Sequence, residues 1–272
     1  MTKTQFNATQ LDDLMQACND IAKEAGEAIL KYYRSEYEVF RKDDKSPVTS
    51  ADLAANEIIQ QGLKKLSPQL PILSEESELY DYSERKHWGP FWLVDPLDGT
   101  KEFINDRPDF TVNIALIEQQ KPILGVIYLP ASNLLYYAAR GLGSHKKTGQ
   151  AAAQPIHAAI TSNQPMRICG GRANQSEKLI RFIESLNGEK MIRRGSSLKS
   201  CLVAEGSIDL YPRFGPTWEW DTAAAQSIVE EAGGYLTNLQ LEPLHYNKES
   251  LLNPGFLVFA DKMIDWKNLL KR

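Results

Sequence analysis

The sequence predicts an α/β protein, with an α+β front and an α/β back. Three observations lead there. Apolar residues recur at helical spacing in two long stretches before Pro68. Between Phe91 and Ala139, apolar and β-branched runs follow one another with turn residues between them. From Pro165 onward, short apolar runs alternate with helical ones.

Taken in order, Leu11, Leu14, Met15, Cys18, Ile21, Ala22, Ala25 and Ile29 define one face of a helix from about Asp12 to Arg34. A second helix is predicted from Ser50 to Leu66, stopped by Ser67 and Pro68. Pro71 to Leu73 reads as a strand, and residues 77 to 90 read as a loop. Val112, Ile114 and Leu116 alternate with polar or small residues. With Ile123 to Leu129 and Leu134 to Ala139 they predict an antiparallel meander. Gly141 to Gln150 reads as a polar turn. Strands at 166–168, 191–194, 208–211 and 256–260 then alternate with helices at 176–186, 197–205 and 222–232, ahead of a C-terminal helix. The division between parts is placed near residues 150 to 165, giving 1–160 and 161–272.

Length and composition bound the chemistry. A chain of 272 residues with 42% apolar and 24% charged residues can bury a large core. A net charge of −4 without a long basic run argues against nucleic acid as partner. Cys18, Cys169 and Cys201 lie far apart, with no Cys-X-X-Cys. They read as buried thiols of a reducing compartment. The polar N-terminus and the lack of an 18-residue apolar run favour the cytoplasm.

Phe91 to Thr100 carries the chemical signal. An apolar strand exits into Asp95-Pro-Leu-Asp98, and Gly99-Thr100 follows where a helix could begin. Two carboxylates fixed at a strand end suit hard divalent cations. Backbone N–H groups at a helix start suit a phosphate. Asp-Pro and Asp-Gly are also ordinary turn pairs, so the other acidic elements matter. Asp52, Glu75 with Glu76, and Asp221 each sit at a junction between regular elements. Asp52 follows Thr49 by three residues, which also fits a capping box. Asp221 also fits a helix cap. Glu75 and Glu76 also fit plain surface charge. A haloacid-dehalogenase site fits poorly, because its aspartates are two apart.

On these motifs the chain resembles the lithium-sensitive, magnesium-dependent phosphatases of the inositol monophosphatase superfamily. Within it, the likeness is to the bacterial 3′(2′),5′-bisphosphate nucleotidases. The matching stretches are Ser46 to Asp52, Leu73 to Glu76, Trp92 to Ile104, Phe110 to Ala115, Gly195 to Lys199 and Trp218 to Ala224. Lys101-Glu102-Phe103 is similar to the nucleotidase branch, where inositol phosphatases carry Thr-Asn-Phe.

The resemblance implies a layered αβαβα sandwich and a site for two or three Mg²⁺ ions. Glu75, Asp95, Asp98, Asp221 and the Leu97 carbonyl would hold the ions. Thr100, with Glu75, would orient the attacking water, and Asp52 would support a second water and a further ion. Gly99 and Thr100 would cradle the phosphate. Ser196, Lys199 and Arg213 match positions that contact the nucleotide. One departure is Gly171-Arg-Ala-Asn174, where the nucleotidases often carry Ser-Arg-Ser-His; Asn174 can hydrogen-bond but cannot carry charge.

The implied reaction removes the 3′-phosphate of adenosine 3′,5′-bisphosphate, and of 3′-phosphoadenylyl sulfate, in support of sulfur assimilation. Inositol monophosphatase or sugar bisphosphatase activity is the enzymatic alternative. A nucleotide- or metal-sensing regulator is the non-enzymatic one. The expected state is a monomer or homodimer, with peripheral attachment to the cytoplasmic face of an inner membrane compatible with it.

Overall fold

The computed structural model describes residues 5–41, 47–159, 165–172, 176–186 and 191–271. Helix α1 (Ala8–Tyr32) starts earlier than its apolar stripe suggests, because Asn7 caps it. The Asn7 side chain accepts the Gln10 N–H at 2.9 Å, and the Gln10 side chain accepts the Asn7 N–H at 3.0 Å. A short antiparallel pair, β1 (Val39–Arg41) and β2 (Pro47–Thr49), leads into α2 (Ser50–Leu66).

The front sheet has seven strands. They are β3 (Ile72–Ser74), β4 (Phe91–Asp98), β5 (Thr111–Glu118), β6 (Lys121–Leu129), β7 (Leu134–Ala139), β8 (Gly143–Thr148) and β9 (Gln154–Ile156), side by side in that order. Only the β3–β4 pair is parallel; the rest is the expected meander. The presumed loop at 77–90 contains α3 (Tyr82–Arg85), and α4 (Thr100–Ile104) follows β4. The presumed turn at 141–150 holds β8. That strand forms through pairing with β7 and β9 on both sides, so its polar residues gave no apolar signal.

Behind it lie β10 (Cys169–Gly170), α5 (Glu177–Ser185), β11 (Ile192–Arg193), α6 (Leu198–Ala204), β12 (Leu210–Arg213), β13 (Thr217–Trp218), α7 (Glu219–Glu231), β14 (Tyr235–Asn238), β15 (Leu252–Asn253), β16 (Phe256–Phe259) and α8 (Trp266–Leu269). The expected strand at 166–168 is reduced to one parallel bridge, Ile168 to Leu210; the ladder proper starts at Cys169. The back layer holds a two-stranded and a three-stranded sheet, joined by that bridge. β10 and β11 run parallel, whereas β12, β16 and β14 are antiparallel.

Both faces of the front sheet are covered, which is why its strands read as continuous apolar runs. Trp92, Val94, Ile114 and Val126 face α1 and α2. Leu93, Ala115, Ile117 and Ile127 face the layer of α6 and α7. That layer packs in turn on the back sheet, whose far side meets α5 and α8. The result is the five-layered αβαβα sandwich. Gly125 on β6 meets the Ala224 carbonyl of α7 so closely that a Cβ would collide with it. A helix of the C-terminal part therefore shares its core with the N-terminal sheet. The division at 160/161 falls on residues 160–164, outside the described residues.

Candidate active site

The parallel pairing of β3 with β4 builds the centre. Ser74 pairs with Val94, and the Glu75 N–H donates to the Val94 carbonyl at 3.1 Å. Glu75 and Asp95, the next residue on each strand, therefore emerge together at the sheet's end. β4 does not stop before Asp95, as its apolar run suggested, but continues to Asp98. Asp95 pairs with Asn113 and Asp98 with Thr111. One extra residue on β4 is thus taken up in a bulge around Pro96-Leu97, which re-aims Asp98. Asp221 arrives from the first turn of α7. It does not cap that helix from outside but sits within it, accepting the Trp218 N–H at 2.8 Å.

Carboxylate oxygens of Glu75, Asp95 and Asp221 lie within 4.8 Å of one another. Asp98 stands outside this trio but lines the same cavity, of about 360 Å³. Burial, then the charges of Glu75 and Asp98, push the Asp95 carboxyl well above the usual carboxylate range. Burial and Asp98 do the same to Asp221. Neither Asp95 nor Asp221 has an ion-pair partner among the described residues. Carboxylates crowded together in this way are costly without a counter-ion. An all-oxygen donor set of this kind fits Mg²⁺.

Thr100 opens α4 beside this cluster. Its hydroxyl lies 3.2 Å from Asp52 Oδ1 and 3.3 Å from the Leu97 carbonyl. Asp52 is fully buried and does not line the cavity. Its Oδ2 accepts the Thr49 N–H at 2.8 Å and the Thr49 hydroxyl, so the capping-box reading holds. Both oxygens are engaged, and Asp52 meets the cavity through the Thr100 hydroxyl. Burial raises its pKa against the opposing bonds from Thr49 and Thr100.

Leu97, Gly99, Ser196, Lys199 and Arg213 line the same cavity. Gly99 has φ of 92°, and an added Cβ would press on Ser196. Ser196 itself adopts φ of 44°, a left-handed conformation uncommon outside glycine. Lys199 is buried and gives its ammonium to the Ser196 carbonyl at 2.5 Å. Burial lowers its pKa, partly offset by Asp98. Arg213 donates to the Pro216 carbonyl at 3.2 Å, while its buried Nε has no partner among the described residues. Asn174 lies outside the described residues.

Five cavity or supporting residues, Arg172, Asp109, Trp218, Ser197 and Asn113, were given no role of their own by the sequence. Arg172 bridges Glu102 (2.9 Å) and Asp109 (2.5 Å), and Asp109 also accepts the Gly195 N–H at 3.1 Å. Trp218 forms part of the wall and stacks on Trp220. Ser197 bonds to Asp98, and Asn113 bonds to Ser197. Asn113, a lone amide inside the apolar run of β5, was the one legible hint.

Comparison with known proteins agrees with this geometry. Residues 10–265 match the inositol monophosphatase family. The 3′(2′),5′-bisphosphate nucleotidase CysQ of Salmonella typhimurium is 46% identical over 248 residues, spanning 90% of this chain and 98% of that protein. Its namesake from Haemophilus influenzae is 38% identical, over 92% and 94%. The crystal structure of CysQ from Bacteroides thetaiotaomicron, described as a bacterial member of the inositol monophosphatase family, superposes with a TM-score of 0.80. It shares 39% identity and covers 94% of this chain and all of that one. This chain belongs to the inositol monophosphatase family.

Proposed function

We propose that the protein is a Mg²⁺-dependent phosphomonoesterase, a 3′(2′),5′-bisphosphate nucleotidase that converts adenosine 3′,5′-bisphosphate to AMP and phosphate. One observation carries the reading. A single cavity is lined by the Glu75–Asp95–Asp221 cluster and by several cations, Lys199 and Arg213 among them. A bisphosphate needs both: a reacting centre for one phosphate and fixed positive charge for the other. The cavity volume, about 360 Å³, lies within the roughly 300–1,000 Å³ of small-ligand sites. The similarity to the curated nucleotidases supports the same substrate.

Glu75, Asp95, Asp98, Asp221 and the Leu97 carbonyl would hold two or three Mg²⁺ ions. When bound, such ions lower the pKa of water and stabilise the leaving oxygen of an in-line displacement. Thr100 orients the water. Its hydroxyl hydrogen has Asp52 Oδ1 and the Leu97 carbonyl as acceptors, which leaves the hydroxyl oxygen to accept from the water. The water oxygen bonds to phosphorus, the bond to the 3′ oxygen breaks, and that oxygen takes up a proton. Gly99 and Thr100 support the reacting phosphate through backbone N–H groups, and Ser196 contacts the nucleotide. Lys199 supplies a point charge and Arg213 a planar donor pair for the second phosphate.

No helix is long and apolar enough to cross a membrane among the described residues. A cytoplasmic protein, monomeric or homodimeric, with a small phosphorylated nucleotide as its partner, fits this reading. Assays of adenosine 3′,5′-bisphosphate, inositol monophosphate and a sugar bisphosphate, each with Mg²⁺ and with chelator, test it. The expected result is Mg²⁺-dependent release of phosphate with strong preference for the nucleotide, suppressed by Li⁺. Preference for either of the others, or turnover that survives chelation, overturns it.

A further inference from the structure

Ser197 stands where the two halves of the protein meet, at the wall of the cavity. Its N–H donates to Asp98 Oδ2 at 2.6 Å, and its hydroxyl lies 2.7 Å from that same oxygen. The hydroxyl is also 2.9 Å from the backbone carbonyl of Asp221. From the other side, the Asn113 side-chain amide donates to the Ser197 oxygen at 2.9 Å. Ser197 is 4% exposed and Asn113 1%. One small side chain thus joins the end of β4, the middle of β5 and the start of α7.

We infer that Ser197, held by Asn113, is a positioning residue that fixes Asp98 and Asp221 relative to each other for cation binding. The inference rests on the metal-site reading above. Its chemistry is that of a supporting shell around ligands. Both Ser197 donors converge on Asp98 Oδ2, so Asp98 Oδ1 keeps no hydrogen-bond partner among the described residues and is free for a cation. The hydroxyl has one hydrogen, shared between Asp98 Oδ2 and the Asp221 carbonyl, and its lone pair accepts from Asn113. Its one hydrogen is thus spent on the two ligand-bearing segments, while Asn113 holds the oxygen from β5.

The surroundings make this placement rigid. Asp109 accepts the Gly195 N–H at 3.1 Å, and Arg172 clamps Asp109 and Glu102 together. An added Cβ on Gly195 would meet Glu102 Cγ at 2.5 Å, so the loop before Ser197 is seated tightly on α4. Carboxylates of like charge repel, and the loop must hold them in place before a cation arrives. Groups that orient metal ligands from behind typically change metal affinity or activity by about 10–100-fold when removed.

The test is calorimetric titration of Mg²⁺ into metal-free protein, run beside steady-state kinetics. Ser197→Ala should weaken Mg²⁺ binding by about tenfold or more and lower kcat by a similar factor. The substrate KM measured at saturating Mg²⁺ should change little. Ser197→Thr, which keeps the hydroxyl, should recover most of the affinity. Asn113→Ala, which leaves Asp98 untouched, should shift Mg²⁺ affinity in the same direction by a smaller factor. It serves as the decisive variant should Ser197→Ala not fold. Failure of the parent protein to bind Mg²⁺ would remove the metal-site reading itself. A parent that binds Mg²⁺, with folded Ser197→Ala or Asn113→Ala variants within twofold of it, would overturn the positioning role alone.

Discussion

Thr100 and Asp52, 48 residues apart in sequence, meet across a 3.2 Å hydrogen bond that joins the start of α4 to the first turn of α2. The bond places a buried carboxylate behind a cavity-lining hydroxyl, an arrangement suited to relaying a proton from water. Thr100→Val keeps the shape and removes the hydroxyl. It should lower kcat by about 100-fold or more, the usual scale of lost acid–base assistance. Mg²⁺ binding and melting temperature should stay near parent values, and Thr100→Ser should restore turnover. Undiminished turnover in Thr100→Val would exclude the relay.

Asp95→Asn removes a charge without changing shape. Asp95 sits in the cluster with Glu75 and Asp221, so kcat should fall by at least about 100-fold, or roughly 2.7 kcal/mol of barrier. The metal-free protein should be no less stable, since the substitution relieves repulsion. A variant with near-normal turnover would show that Asp95 holds no ion.

Lys199→Ala and Arg213→Ala test the second-phosphate subsite. Loss of a charge-assisted contact costs roughly 1.5–3 kcal/mol. KM for adenosine 3′,5′-bisphosphate should therefore rise about tenfold or more. Hydrolysis of a nucleoside 3′-monophosphate should change little. Equal damage to both substrates would remove the subsite and favour the sugar or inositol phosphatase reading.

Mg²⁺ should stabilise the protein more as pH rises. Burial and mutual repulsion raise the carboxyls of Asp95 and Asp221 above their unfolded value near ~3.9. A group raised in the folded state contributes stability at low pH and loses it as pH climbs through the folded value. Metal-free protein should lose melting temperature over that window, and Mg²⁺ should return it, because binding displaces the same protons. Thermal scans with Mg²⁺ and with chelator across about pH 4 to 8 check this. A Mg²⁺-induced shift that is independent of pH would contradict it.

Gly125→Ala addresses the fold rather than the chemistry. The new methyl would strike the Ala224 carbonyl of α7, a backbone atom that cannot swing away. Destabilisation of about 1–3 kcal/mol is expected from overpacking. Because α7 carries Asp221, Mg²⁺ affinity should weaken as well. Unchanged denaturant midpoints would show that α7 can shift freely on the sheet.

The sequence by itself determined most of the elements and the identity of the chemical groups. Helical periodicity placed α2 at its observed bounds, and the apolar runs of β4 to β7 ordered the front sheet, because residues buried on a helix stripe or on both faces of a sheet must be apolar. The Asp95–Thr100 stretch named its own residues through turn and carboxylate chemistry.

Tertiary structure decided what pairing and burial decide. β8 is polar and exists through its neighbours, so no periodicity announced it. Asp221 reaches Asp95 only because α7 packs on the front sheet, a contact between residues 126 apart. Asp52 completes the capping box with Thr49 that its spacing allowed, and it also meets Thr100, a contact spacing did not announce. Ser197 and Asn113 act through hydrogen bonds across 84 residues of chain. Local sequence records the propensity of a segment and the chemistry of its side chains. Which carboxylates share a cation, and which hydroxyl holds them there, is fixed only when distant segments close on one another.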